Sequence, residues 1–203
     1  MLNNTLLPMI SLETPALTTR RLSVRVARPG DLESVVRYVK ENAEFLQPWE
    51  PVRSAAYYTP TYWRTQIARD SDDYFQDRGV RFFLFERTPQ GSQEEVRGVA
   101  SFGNLVRGAA QYCTLGYALA QNAEGQGLMR EALEEAAIPF VFNNMRVHRI
   151  SANYLPRNER SGGLLRRLGF TVEGYARDYL YINGRWEDHI LTSRSNPDWK
   201  PAA

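Results

Sequence analysis

Residues Gln121 to Leu133, QNAEGQGLMREAL, set two glycines between a strand-like run and a helix-like one, and few folds accept that junction. Before it, Thr114–Leu119 alternates as a half-buried strand does. After it, Leu128, Met129, Ala132, Leu133, Ala136 and Ala137 recur at i, i+3, i+4 and i+7, one face of a helix. Gly125 and Gly127 remove the Cβ atoms that would hold a ligand off the main chain. The free N–H groups of Glu124, Gly125, Gln126, Gly127, Leu128 and Met129 would then point out of a helix N-terminus, at its positive dipole end. That is a site for a phosphate or pyrophosphate. Taken alone, the loop also reads as a turn that holds nothing. No Lys-Ser/Thr follows it as in a P-loop, and no third glycine stands at the dinucleotide-binding spacing.

The remaining chain supplies a sheet for this junction. Arg20–Arg28 alternates with Leu22, Val24 and Val26 on one face, a half-buried strand. Pro29-Gly30-Asp31 turns into a helix whose apolar face is Leu32, Val35, Val36 and Val39, with Asp31 as its expected cap. A second helix is expected from about Thr61 to Gln76. Val80–Thr88 and Val96–Val106 read as strands joined by the polar turn Pro89–Glu95, and Tyr112–Leu119 is the strand that feeds the glycine loop. Pro139 is expected to kink or end the helix after it. His148–Tyr154 is a strand, and Gly169 caps a helix carrying Leu164, Leu165 and Leu168. Phe170–Gly174, Arg177–Ile182 and Arg185–Thr192 read as strands, the last two joined by a type I′ turn at Asn183-Gly184. The order β-α-α-β-β-β-α-β-α-β-β gives an α/β chain, a mixed sheet with helices on both faces. One domain over residues 18–195 is expected, with a loose arm over 1–17 and a tail over 196–203.

Composition narrows the chemistry. At 203 residues the chain has enough length for one core. A net charge of +2 leaves no basic footprint of the kind a nucleic-acid binder carries. One cysteine, Cys113, and two histidines, His148 and His189, offer neither a disulfide nor metal-ligand spacing. The N-terminal stretch has no basic lead, and Pro8 and Pro15 interrupt it, so neither a signal peptide nor a membrane span is expected and the cytoplasm is the natural compartment. The aromatic segment Phe45–Trp63, broken by Pro48 and Pro51, reads either as a loop packed on the core or as the wall of an acceptor pocket with one placed carboxylate, Glu50.

The pattern Asn122-x-x-Gly125-x-Gly127 resembles the pyrophosphate loop of the GCN-five-related N-acetyltransferases (GNAT), with Asn122 where Gln or Arg is usual. Thr19-x-Arg21-Leu22, Asn158-x-x-Ser161, Leu168-Gly169-Phe170, Glu173-Gly174 and the Asn183-Gly184 hairpin with Asp188 are similar to the ribosomal-protein branch of that family. Segments such as FLQPWEPVR and GRWEDHIL are similar to its ribosomal-protein-alanine N-acetyltransferases, over about residues 18–200. The resemblance implies the GNAT acyltransferase fold, acetyl-CoA as cosubstrate and no metal. It also implies acetylation of the N-terminal α-amine of a small-subunit ribosomal protein, with ribosome or precursor contact as a further implication. It implies that Leu115, Gly116 and Tyr117 hold the pantetheine arm and polarise the thioester through the backbone. Asn158 would anchor that arm and Ser161 would protonate the departing thiolate, though each also reads as a helix cap. Trp49, Glu50 and Tyr57 would line the acceptor seat.

A strong base is not required. An α-amine of pKa about 7.7–8.0 is roughly one-tenth neutral near pH 7, a cost of about 1.4 kcal/mol, whereas positioning contributes roughly 7–11 kcal/mol. Glu50 and Asp178 are the candidates, Glu50 ranked first; strand alternation puts Asp178 on the face of Leu180, and its other reading is an arginine partner. Two alternatives stay open: the same catalysis on a small amine such as a polyamine or drug, and a binding protein that docks on ribosomes without turnover. Cys113 as an acyl carrier is disfavoured against a small strand residue, because no histidine neighbours it in sequence.

Overall fold

Phe82, Phe83, Leu84 and Phe85 stand consecutively in one strand, and none is more than 1% exposed. Successive strand residues face opposite sides of a sheet, so such a run needs cover on both. The computed structural model, which describes residues 13–87 and 94–201, provides it. Phe83 meets Trp63 of the helix Pro60–Phe75 edge-on at 6.0 Å, and Phe82 meets Phe140 of the helix Ile138–Asn143 at 5.7 Å.

In chain order the elements are β1 (Ala16–Thr18), β2 (Leu22–Arg25), α1 (Leu32–Glu41), α2 (Ala43–Leu46), α3 (Pro60–Phe75), β3 (Val80–Glu86), β4 (Val96–Val106) and β5 (Tyr112–Leu119). Then come α4 (Leu128–Glu131), α5 (Ile138–Asn143), β6 (Arg149–Tyr154), α6 (Glu159–Arg167), β7 (Thr171–Ile182) and β8 (Arg185–Ser195). They form one eight-stranded sheet in the order β1-β2-β3-β4-β5-β6-β8-β7, parallel only between β5 and β6. The mixed sheet and the order of its elements match the sequence reading, with β1 added at the edge.

Several details differ for physical reasons. The arm expected over residues 1–17 ends in β1, which pairs antiparallel with β2; residues 1–12 lie outside the described residues. The turn expected at Pro89–Glu95 falls largely outside them too. Asp31 does not cap α1 with its side chain, because its carboxylate accepts from both Arg25 Nη atoms (2.6 and 2.9 Å) and from the Arg28 N–H. Pro139 neither ends nor breaks its helix. The turns Ala132–Ala137 widen to π geometry just ahead of it, which shifts the bonding by one residue and carries the helix past the missing N–H. The two strands expected across Phe170–Ile182 are one, β7, with register shifts between Val172 and Gly174 and between Ala176 and Leu180. The tail is tied down: Trp199 Nε1 donates to the Arg146 carbonyl at 2.8 Å. Gly169, at φ 78°, caps α6, and Asn183 and Gly184, at φ 46° and 82°, make the expected type I′ turn.

Candidate active site

The site begins where two parallel strands part. β5 and β6 stay in register only from Tyr112 and Arg149 to Thr114 and Ser151. Past that point β5 keeps β4 as far as Leu119, and β6 keeps β8 as far as Tyr154. The β5 edge from Leu115 to Leu119 therefore faces a cleft rather than a strand, and its outward backbone groups have no ladder partner. A cavity of ≈ 570 Å³ fills the cleft, walled by Leu115, Gly116, Tyr117, Glu124, Met129, Asn158 and Ser161 among others. A second, of ≈ 510 Å³, lies among Tyr38, Glu50, Tyr57, Trp63 and Arg81. Trp49, Glu50, Gly116, Tyr117 and Ala118 line both. A Cβ on Gly116 would meet nothing within 4 Å, so its absence helps keep the boundary between the cavities open.

The glycine loop lies beyond the end of β5. Gly125 and Gly127 are left-handed, at φ 73° and 76°, and Gly127 is the N-cap of α4. The N–H groups of Gly125, Gln126, Gly127, Leu128 and Met129 have no acceptor among the described residues. Glu124 differs from the sequence reading: its N–H bonds the Gln121 carbonyl at 3.4 Å, and its side chain pairs with Arg160. The wall of the larger cavity reaches this loop at Glu124 and Met129. Five adjacent unpaired amides at a helix start suit a pyrophosphate, so the residues present fit the phosphate end of a coenzyme.

Sequence reasoning missed what braces the loop. Glu131, only 7% exposed, accepts from Thr19 Oγ1 (2.7 Å), the Arg21 N–H (2.8 Å) and Arg21 Nε (2.6 Å). Arg21 Nη1 also donates to the Gln126 carbonyl at 2.9 Å. The Thr19-x-Arg21 opening is thus a clip on the glycine loop, and the signal for it was an acidic residue beside the apolar face of the helix. Burial raises the Glu131 carboxyl pKa, but the hydrogen bonds from Thr19 and Arg21 outweigh it and leave the value lowered. A lowered carboxylate stabilises the fold above its unfolded pKa and loses that contribution as pH falls through its folded one. Thermal midpoints measured from about pH 5 down to about pH 3 should therefore fall more steeply for wild type than for Glu131→Gln. Parallel curves would remove this role.

On the other side of the cleft, Asn158 caps α6, and its Oδ1 accepts the Ser161 N–H at 3.0 Å. That leaves its Nδ2 as the group able to face a ligand. Ser161 Oγ stands 2.8 Å from the Tyr117 hydroxyl, a contact reaching from the sheet to the helix. Burial pushes Tyr117 up to about 12, so it is protonated at neutral pH. Cys113, buried in β5, is also pushed up to about 12 by burial, which suits the small strand residue and not a nucleophile.

The aromatic segment closes the acceptor side. Glu50 Oε2 accepts from Arg53 Nε and Nη2, both at 3.1 Å, and the Glu50 carbonyl accepts the Asn183 N–H at 2.9 Å. Arg157, unnoticed in the sequence, binds Glu187 at 2.8 Å and the Pro48 carbonyl at 3.2 Å, with its guanidinium 5.6 Å from the Trp49 ring. The segment is thereby fastened to the β7–β8 hairpin. Asp178 is not brought to the site. It sits at φ 46° in the second β7 register shift, exposed, and lines neither cavity, whereas Leu180 and buried His189 line the larger one. Strand alternation fails there because the bulge rotates the chain between positions 178 and 180. The Asp178 N–H donates to Asp188, and no arginine pairs with its side chain among the described residues.

The acetyltransferase (GNAT) domain model matches residues 21–171. The chain belongs to the GNAT acetyltransferase family. Among curated GNAT relatives it is 45% identical to the [ribosomal protein uS5]-alanine N-acetyltransferase of Escherichia coli (strain K12), over 91% of this chain and 93% of that one. The structure of ribosomal-protein-S5-alanine acetyltransferase from Vibrio fischeri superposes with a TM-score of 0.86 at 36% identity, covering 92% of this chain and 100% of that one. RimJ of Mycobacterium smegmatis, solved with CoA-disulfide, gives 0.80 at 25% identity over 94% and 90%. As a GNAT protein the chain is thus an N-acetyltransferase by family. No helix of its described residues is long and apolar enough to cross a membrane.

Proposed function

We propose that this GNAT protein transfers the acetyl group of acetyl-CoA to the N-terminal α-amine of a ribosomal protein that begins with alanine. The observation that carries the reading is the cleft between β5 and β6, which ends in the unpaired amides of Gly125–Met129 and shares Gly116–Ala118 with a second cavity. A long thioester fits the first cavity and an amine the second, with the reacting carbon between them. The named activity of the Escherichia coli relative, at 45% identity, supports the choice of acceptor.

In this reading Glu124 contributes its side chain to the cavity wall, and Gly125, Gln126, Gly127, Leu128 and Met129 hold the pyrophosphate through their amides. The β5 edge at Leu115–Tyr117 receives the pantetheine by strand-like hydrogen bonding, and one of its N–H groups polarises the thioester carbonyl. Asn158 anchors the arm through Nδ2. The amine nitrogen bonds to the carbonyl carbon as the carbon–sulfur bond breaks. Glu50 takes the amine's surplus proton through water and releases it to solvent, while Ser161 gives a proton to the sulfur and regains one from solvent, with Tyr117 holding its hydroxyl in place. Trp49 and Tyr57 wall the acceptor. Asp178 has no part in this scheme. The protein works where ribosomal proteins are made, in the cytoplasm.

The direct test incubates the protein and acetyl-CoA with a short peptide beginning with Ala and one beginning with N-methyl-Pro. The first should gain about 42 Da at its α-nitrogen and the second nothing. Absence of Nα-acetylation on every Ala-peptide tried would remove the reading.

A further inference from the structure

His189 is a buried titratable group to which the chemistry above gives no task. It stands in β8, is 4% exposed and lines the larger cavity. Its Nδ1 lies 2.9 Å from the Glu187 carbonyl oxygen. A carbonyl oxygen only accepts, so Nδ1 carries the proton, and in the neutral ring Nε2 carries the lone pair. Nε2 has no partner among the described residues. It is not sealed either: the buried partnerless side-chain atoms closed to solvent are the Tyr38 hydroxyl, Trp63 Nε1 and His148 Nδ1. One nitrogen thus fixes the ring, and the other opens as an acceptor on the cavity that the residue lines.

The surroundings narrow what that acceptor receives. Glu187, two positions earlier in β8, is bound by Arg157, which also donates to the Pro48 carbonyl. Asn183, in the turn of the same hairpin, donates to the Glu50 carbonyl. These contacts set the hairpin against the Trp49–Glu50 wall that the two cavities share, at the opposite side from the glycine loop. The carboxylates lining the larger cavity are engaged or wet: Glu50 is held by Arg53, Glu124 by Arg160, and Glu159 is exposed. Asp188, next to His189 in the chain, accepts from the Tyr175 hydroxyl and the Asp178 N–H. The Tyr179 ring lies 5.6 Å from the imidazole. An amine that attacks a carbonyl carbon must keep its lone pair free and aimed, so its N–H bonds are what a protein can hold. We infer that His189 Nε2 accepts one N–H of the acceptor's amine and so aims the nitrogen lone pair at the thioester carbon. The second N–H faces the water that leads to Glu50. The inference rests on the acetyl-transfer reading and adds to it the group that orients the nucleophile.

Two substitutions separate this role from a structural one. In His189→Asn the amide nitrogen takes the place of Nδ1 and keeps the bond to the Glu187 carbonyl, with nothing at Nε2. In His189→Gln the longer side chain brings its amide oxygen to the Nε2 position and keeps an acceptor there. For an Ala-starting peptide, kcat/KM should fall about tenfold in His189→Asn and stay within about threefold of wild type in His189→Gln. The KM for acetyl-CoA should hold in both. The reverse order, with His189→Asn near wild type and His189→Gln impaired, means a ring needed only for its Glu187 bond and overturns the inference. A raised KM for acetyl-CoA in His189→Asn also overturns it, because Nε2 then serves the coenzyme. A second measurement needs no variant. The chain has two histidines, so imidazole ¹⁵N spectra of the CoA-loaded wild type are simple to read. The His189 Nε2 resonance should move when an Ala-starting peptide amide is added, with Nδ1 still protonated. An Nε2 resonance that ignores saturating peptide overturns the inference. Should Nε2 respond while wild type transfers no acetyl, the amine's seat stands and the acetyl-transfer reading alone falls.

Discussion

Replacing Ser161 with alanine should lower kcat on an Ala-peptide by about 10²-fold, with the KM for acetyl-CoA nearly unchanged. The geometry behind this is the 2.8 Å contact between Ser161 Oγ and the Tyr117 hydroxyl at the wall of the larger cavity. Tyr117, pushed up to about 12 by burial, keeps its proton at neutral pH and can serve as the donor in that hydroxyl pair. The Ser161 O–H is then free to point at the departing sulfur. A thiol leaves with pKa about 8.5, so it tolerates departure as thiolate better than an alcohol does, and the loss sits at the low end of the usual 10²–10⁴ range. The leaving sulfur also gives the variant a pH signature. The deficit of Ser161→Ala should shrink as pH rises through about 8.5, where the sulfur no longer needs the proton. Steady-state rates between about pH 6.5 and 9.5 would check this. A variant within about threefold of wild type at pH 7 would remove Ser161 from the chemistry.

The second large effect belongs to the glycine loop. Gly125→Val should raise the KM for acetyl-CoA by about 10²-fold, while kcat at saturation changes far less. Gly125 sits at φ 73°, where a β-branched residue is strained by roughly 1–2 kcal/mol. Its Cβ position has nothing within 4 Å, so the new side chain projects into open space at the loop rather than into the protein, on the loop whose amides are unpaired. Gly125→Ala adds most of the strain and little of the obstruction, and should fall between the two. Circular dichroism would verify that both variants fold. A normal KM in folded Gly125→Val protein would mean that these amides do not hold the coenzyme.

The large architecture was legible because it rests on local rules. Val80–Thr88 reads as a strand, Asn183-Gly184 fixes a hairpin, and Gly169 ends a helix, each by local chemistry. What escaped the sequence depends on contacts between distant segments. Glu131 meets Thr19 across 112 positions, and Arg157 meets Pro48 across 109. Neither has a short motif. Asp178 misled for the opposite reason: the period of two is a sound local rule, but the register shift between Ala176 and Leu180 suspends it there. Asn158 and Glu50 fall between these cases. Their helix-cap and arginine contacts are real, and each leaves atoms facing the larger cavity.

Comparing the N-terminal proteome of cells with and without the gene reads the acceptor in its natural setting. One ribosomal protein, or a very small set, should lose its Nα-acetyl group from an N-terminal alanine when the gene is lost. The wild-type gene should restore that group and Ser161→Ala should not. An N-terminal profile unchanged by loss of the gene, with acetylation appearing instead on a polyamine or another small amine, would contradict the proposed function.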